Sequence, residues 1–504
     1  MSLAIVYSRA QEGIKSPQVT VEVQISNGLP GLSIVGLPET AVKESKDRVR
    51  GAIISSRFEF PSRRFTINLA PADLPKDGSR FDLPIALGVL AASKQIPGDL
   101  LNHYEFVGEL ALTGQLRPLK GTLIATVAAS RANRTICVPQ DNAREACFVK
   151  DAAVISADTL LQVCAHLRGT EKRPLEQFVD NLSQQPASLD LCDIAGQHHA
   201  KRALEIAAAG GHNVLFVGPP GTGKTMLASR LPGLLPELTE QAALETAAIQ
   251  SLTTSSWQAS QWGVRPFRSP HHTASAVALV GGGSRPRPGE ISLAHNGILF
   301  LDELPEFERR VLEVLREPLE SGHITISRAA RQVEYPARFQ LVAAMNPCPC
   351  GYLGDDSGRC HCSPEQVQRY RNRISGPLLD RIDMHVEVPR IKQSLLRRQS
   401  ASYEETSATV KQRAVVAREL QFERQQCLNQ HLDNRQINSL CRIQDQDIDY
   451  LENAIEQLGL SARAFHRVIK LARTIADLDR RPTIERQDIA EALSYRKLDR
   501  RMHY

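Results

Sequence analysis

Polar and apolar positions alternate with a period of two through VTVEVQI (19–25), and short apolar runs recur in LSIVGL (32–37), RFTINLA (64–70) and HYEFVGELAL (103–112). That period puts successive side chains on opposite faces of an extended chain, so each run predicts a strand. Between them, ETAVKESKDRVRGAIISS (39–56) reads as a helix. Interleaved strands and helices predict an α/β domain over residues 1–168. Residues 169–188 are polar, lack periodic apolar positions and predict a linker. A second unit, 189–392, opens with a helix that leads into the buried strand of HNVLFVG (212–218). From 393 to 504 apolar residues return at helical spacing in LENAIEQLGL, ARAFHRVIKLARTIADL and ERQDIAEALSYR, which predicts a C-terminal helical domain.

With 504 residues, 42% of them hydrophobic, the chain has material for more than one core. No apolar run reaches the roughly eighteen residues of a membrane span, and MSLAIVYSRA lacks the basic head and cleavage site of a signal peptide. A cytoplasmic protein without membrane attachment is therefore expected. The net charge of +5 does not by itself imply a polyanionic partner. Cys137, Cys147, Cys164, Cys192, Cys427 and Cys441 are scattered singly, as suits reduced thiols rather than a disulfide framework.

Chemistry enters at Gly218-Pro219-Pro220-Gly221-Thr222-Gly223-Lys224-Thr225, which follows an apolar strand and precedes a helical MLASRL. This is a P-loop in its required setting. The glycines let successive N–H groups face phosphate, Lys224 reaches the β- and γ-phosphates, and Thr225 is placed to hold Mg²⁺. A second apolar strand, Ile298–Leu301, ends in Asp302 and Glu303, the pattern of a metal-binding acid followed by an acid that polarises the attacking water. A third, 341–345, ends at Asn346, positioned to orient that water. ATP hydrolysis with Mg²⁺ is the expected chemistry.

Together GPPGTGKT, SPHHTASAVALVGGGSRPRPGEISLAHNGILFLDELPEF, AAMNPCPCG and LLDRIDMHVEVP resemble the magnesium-chelatase-like AAA+ proteins of the ComM/YifB kind, over nearly the whole chain. The resemblance implies a homo-hexameric ring with ATP between subunits. It further implies Arg381 as the arginine a neighbour inserts, with Arg373 as a rival, and Arg463 as the sensor-2 arginine of the C-terminal lid. A trans arginine supplies about 10³–10⁵ in rate. The family is associated with helicase-type branch migration of recombination intermediates and with integration of DNA during natural transformation. DNA, single-stranded, double-stranded or branched, is thus the expected partner, with recombination proteins as further ones.

Two segments fit that partner. Residues 269–291, similar to a helix-2 insert, carry Arg285 and Arg287; residues 322–339 read as a β-hairpin, similar to a pre-sensor-1 hairpin, with Arg328 and Arg331 around its tip. Guanidinium groups at loop tips suit phosphodiesters, because neutralising each phosphate releases counterions. Loop arginines are also commonly solvated or paired with a neighbouring subunit, so the DNA expectation rests mainly on the resemblance.

Cys348, Cys350, Cys360 and Cys362 fall within fifteen positions directly after Asn346. Four crowded thiols suit a tetrahedral structural Zn²⁺; free thiols, a redox switch, or His361 replacing one cysteine are the alternatives. In the first domain, ADLPKDGSR (72–80) and VGELALTG (107–114) look like the signature segments of a Lon-protease-like α/β domain of the S5 domain 2 type, also found in ChlI-type proteins. Where that fold has its nucleophilic serine this chain has Arg80, and its activating lysine aligns with Leu123, so an inactive protease fold is expected, with Ser79 and Lys120 as the shifted alternatives. Two other functions stay open: a chelatase-type motor for metal insertion, although no D-x-S-x-S motif of its partner subunit is present, and an ATP-dependent assembly scaffold.

Overall fold

The computed structural model describes residues 2–37, 40–74, 76, 78–177, 189–253, 259–283, 286–328, 331–355, 358–390 and 404–496. Seven strands form the first sheet, in the spatial order Gly31–Val35, Arg64–Ala70, Gln18–Ser26, Ser2–Arg9, Tyr104–Phe106, Thr135–Pro139 and Val154–Ala157. Ser2–Arg9 runs antiparallel to Gln18–Ser26 and parallel to Tyr104–Phe106, so the sheet is mixed. The alternating run 19–25 buries Val19, Val21, Val23 and Ile25 on one face, against the helix Asp82–Ala92. The run at 103–112 is broken into Tyr104–Phe106 and the short hairpin strand Glu109–Leu110.

A second sheet is wholly parallel, in the order Phe267–Arg268, Ile298–Leu301, Gln340–Met345, Val214–Val217, Met384–Glu387. Numbered along the chain and read from the other edge this is 5-1-4-3-2, so the P-loop strand lies between the strand ending at Asn346 and the last strand. Being covered on both faces, its strands read as continuous apolar runs. Val214, Phe216, Ile298, Phe300, Val342 and Ala344 face one core with the helix His198–Gly210; Leu215, Val217, Leu299, Leu301, Leu341 and Ala343 face another.

The first of these cores continues into the C-terminal helices. Val410, Ala414 and Ala417 of Ser407–Gln425 and Val468, Leu471, Ala472 and Ile475 of Ala462–Leu478 share it. The second core takes in the hairpin His323–Arg328/Arg331–Pro336 through Ile324, Ile326, Val333 and Tyr335. The N-terminal unit is seated on the core helix Glu240–Ser251: Leu123, Phe148 and Val149 pack on Ala247, and Phe148 stacks on Trp262 at 4.5 Å. No helix among the described residues is long and apolar enough to cross a membrane.

Candidate functional site

Because the core strands are parallel, their C-terminal ends bring the P-loop, Asp302, Glu303 and Asn346 to one edge of the sheet. Lys224 starts the helix Lys224–Ala228 and is buried. Its ammonium donates to the carbonyls of Gly218 at 2.6 Å and Pro219 at 2.9 Å and to Asn346 Oδ1 at 3.2 Å. Burial pushes its pKa below the ordinary lysine value, and the charges of Asp302 and Glu303 pull it back. Thr225 Oγ1 donates to Asp302 Oδ2 at 2.7 Å, so the hydroxyl and the carboxylate that would hold Mg²⁺ are already adjacent. Gly221 and Gly223 have φ of +75° and +90°, and a Cβ added at either would meet nothing within 4 Å. The loop is therefore an open cradle of main-chain donors, and these residues fit a Mg²⁺-bound triphosphate.

Glu303 has a positive φ of 52°, an uncommon conformation for a non-glycine residue. Its carboxylate lies 3.0 Å from His272 Nδ1. His272 belongs to the 269–291 insert, so the predicted water-polarising acid is tied to the segment expected to meet DNA. Sequence reading missed this contact, although the paired His271 and His272 beside a glycine-rich loop were a usable signal.

The candidate arginines separate. Arg381 is buried, pairs with Glu320 and donates to the Pro377 carbonyl at 2.6 Å. Arg373 is half-exposed, 2.9 Å from Glu306 just beyond Glu303. Arg463 is exposed in the first turn of Ala462–Leu478. One turn later, Arg467 lies 3.2 Å from Asp383, which also accepts from the Asn213 N–H at 2.9 Å and stands 3.7 Å from His212. Burial disfavours the Asp383 charge, but His212, Arg467 and that N–H hold its pKa well below the usual carboxylate range. This network, which joins the last core strand to the C-terminal helices, was not anticipated.

Arg287 is exposed on the pair Gly281–Gly282/Arg287–Pro288, and Arg328 faces Arg331 in register at the closed end of the hairpin. Arg285 lies outside the described residues, as do the side chains of Arg328 and Arg331. Arg287 lines a cavity of about 540 Å³ together with Gln332 and Tyr335 of the hairpin and with Ser79, Arg80 and Lys120 of the N-terminal unit. There Ser79 is bonded to Glu109, Arg80 to Gln11 at 2.5 Å and to the Lys120 carbonyl at 3.0 Å, and the Lys120 ammonium to the Thr253 carbonyl at 3.0 Å. Leu123, where a base would align, is buried and apolar.

Cys348, Cys350, Cys360 and Cys362 converge so that their sulfur atoms lie within 4.8 Å of one another, without His361. Backbone N–H groups, that of Tyr352 foremost, lower the Cys350 thiol to about 6, while burial pushes Cys348 up to about 12.

A parallel 5-1-4-3-2 sheet with a P-loop on its first strand, an amide at the end of the adjacent central strand and an Asp-Glu pair at the end of the strand beyond it, and a helical C-terminal region defines the AAA+ class of ATPases. Residues 21–142, 190–396 and 404–496 match the families described as subunit ChlI of Mg-chelatase, magnesium chelatase subunit ChlI, and magnesium chelatase subunit ChlI C-terminal. The chain is 54% identical to the competence protein ComM of Haemophilus influenzae, over 99% of this chain and 98% of that one. It is 55% identical to YifB of Salmonella typhimurium and 54% identical to YifB of Escherichia coli, with the same two shares covered in each case. The protein belongs to the ComM/YifB family of magnesium-chelatase-like AAA+ proteins.

Proposed function

We propose that this protein is an ATP-driven DNA translocase that works as a homo-hexamer and promotes branch migration of recombination intermediates, in the integration of DNA during natural transformation. The name of its relative, competence protein ComM, and the full-length similarity support that process. The observation that carries the motor reading is continuity: the Arg328–Arg331 hairpin leads directly into the strand Gln340–Met345, whose end places Asn346 against Lys224. A change of state at the phosphates is thereby joined to the hairpin tip through one short strand.

In this reading residues 189–392 are the motor core, 393–504 the lid and 169–188 a linker to the domain 1–168, a Lon-like fold without peptidase activity. ATP and Mg²⁺ are held by 218–225 and Asp302, Glu303 and Asn346 act on the attacking water, Arg463 reaches the nucleotide from the lid, and Arg381 is supplied by the neighbouring subunit after exchanging Glu320 for phosphate. Arg285, Arg287, Arg328 and Arg331 contact the DNA backbone, and the four cysteines hold a structural zinc.

The test is ATP turnover and strand displacement on linear, forked and four-way DNA at two salt concentrations. DNA should stimulate turnover, more weakly at the higher salt, and turnover should vanish in Lys224→Ala and Glu303→Gln. Alanine at Arg328 and Arg331 should abolish strand movement while basal hydrolysis persists. Turnover indifferent to every form of DNA would refute the reading and favour a metal-insertion motor or a scaffold.

A further inference from the structure

The thiol loop touches more than itself. Sulfur–sulfur distances are 3.3 Å for Cys348–Cys350, 3.8 Å for Cys348–Cys360 and 3.7 Å for Cys350–Cys360. A tetrahedral zinc with Zn–S bonds of about 2.3 Å requires edges of about 3.8 Å, so the cluster has the size of a closed ZnS₄ site with no position left for catalysis. In and beside this loop the chain makes contacts in three directions. Gly351, at φ +85°, presses on the P-loop: a Cβ there would lie 2.8 Å from Pro220 Cδ and 3.7 Å from the Asn346 side-chain carbon. Pro347, beside Cys348, accepts from Arg371 at 3.2 Å. Asp355 lies 3.6 Å from Arg390, at the end of the core, and Arg390 also sits over the Tyr352 ring.

We propose that metal at these four cysteines sets the affinity of the P-loop for nucleotide, so that the cluster is an allosteric site as well as a staple. This rests on the ATP reading of the P-loop but not on DNA being the substrate. Four thiols facing one another have only weak S–H donors to hold them, whereas bound zinc contributes on the order of 10 kcal/mol to the order of such a loop. With the loop closed, Gly351 buttresses Pro220 and Asn346; with the metal gone, one wall of the phosphate cradle loses its support. Coupling between two sites is reciprocal, so nucleotide must tighten zinc by the factor by which zinc tightens nucleotide.

The experiment uses the full chain purified under reducing conditions, with zinc content measured by metal analysis and binding of a fluorescent, non-hydrolysable ATP analogue measured by titration. One zinc per chain is expected. Removing it with a chelator should weaken analogue binding by about tenfold or more, zinc addition should restore it, and the analogue should raise the chelator concentration needed to strip the zinc at equilibrium. Gly351→Ala, which drives a methyl group toward Pro220, should keep its zinc yet bind the analogue weakly in either metal state. Should stripping unfold the chain, Gly351→Ala carries the test alone. Equal analogue affinity with and without zinc, full affinity in zinc-loaded Gly351→Ala, or a native protein that holds no zinc would each overturn the proposal. If the zinc-loaded wild type itself binds no nucleotide, the ATP reading falls and the coupling with it, a result distinct from tight binding that ignores the metal.

Discussion

At the ends of the core strands, Lys224 is bonded to main-chain carbonyls and to the Asn346 amide, and Thr225 donates to Asp302 at 2.7 Å. At the edge of the N-terminal sheet, Ser79, Arg80 and Lys120 are each held by a partner from another segment, Glu109, Gln11 and Thr253. Both sites carry hydroxyl and cationic side chains on loops of an α/β fold. The difference lies in what a ligand would displace. In the first case phosphate oxygens replace the neutral acceptors of Lys224 and the cradle opens to solvent; in the second a substrate would have to break two pairs inside the N-terminal unit and, at Lys120, a contact that fastens that unit to the core. Exchangeable partners mark a working site and committed partners mark a joint, a contrast with measurable consequences on each side.

The largest effect is expected at Arg381, whose committed partner Glu320 makes it resemble the second class. Arg381→Ala should lower ATP turnover by about 10³–10⁵ if its guanidinium serves a neighbour's site. Mixing Arg381→Ala subunits with Glu303→Gln subunits should then restore turnover above that of either alone, because some interfaces regain both groups. Absence of rescue, with Arg373→Ala rescued instead, would move the role to the exposed Arg373. Next in size is Asp383→Ala. Removing the acid leaves Arg467 and the Asn213 N–H without their partner between core and C-terminal helices, at a cost of about 3–5 kcal/mol in denaturant unfolding. Since the folded Asp383 pKa lies below the unfolded one, its stabilisation holds at neutral pH and fades as pH falls below the unfolded value of 3.8.

Glu145 tests the joint by pH. It accepts from the Leu123 N–H at 3.1 Å and engages Ser251 of the core, and burial raises its pKa from 4.5 to about 7 despite those donors. The folded state thus keeps a proton that the unfolded chain releases. The resulting stability is full below about 4.5 and is lost as pH rises through about 7, on the order of 3 kcal/mol in all. Melting curves from pH 5 to 8 should show this fall in the wild type and a smaller one in Glu145→Gln; parallel curves would mean that the carboxyl is not buried at the junction.

The sequence made the nucleotide site legible because strand, loop and chemistry are contiguous there: 214–225 fixes both the backbone and the donors. The four cysteines were legible for the same reason. Ser2–Arg9 was not, since Leu3 and Ile5 are apolar yet exposed while Ala4 and Val6 are buried, which erases the alternation. Nor was Ser407–Gln425, whose buried positions are Ser407, Val410, Ala414, Ala417 and Gln421, mostly small or polar residues that raise no apolar stripe. The pairs His272–Glu303 and Asp383–Arg467 join residues far apart in the chain, and only the packing of the elements brings them together. Arg381 was expected to be inserted into a neighbouring subunit; the structure buries it and pairs it with Glu320, which no local pattern announces.

The smallest effect is predicted where sequence resemblance alone would place chemistry. Ser79 donates to Glu109, and the nearest aligned lysine, Lys120, is bonded to Thr253 across the junction, so that amine is already engaged rather than set to take the serine proton. Ser79→Ala removes one partly exposed hydrogen bond and should cost no more than about 1 kcal/mol. ATP turnover should be unchanged, and neither wild type nor variant should cleave an unfolded protein such as casein in the presence of ATP. Cleavage by the wild type that disappears in Ser79→Ala would show that a committed contact at this joint opens during the cycle, and the distinction between the two edges would then be one of timing rather than of construction.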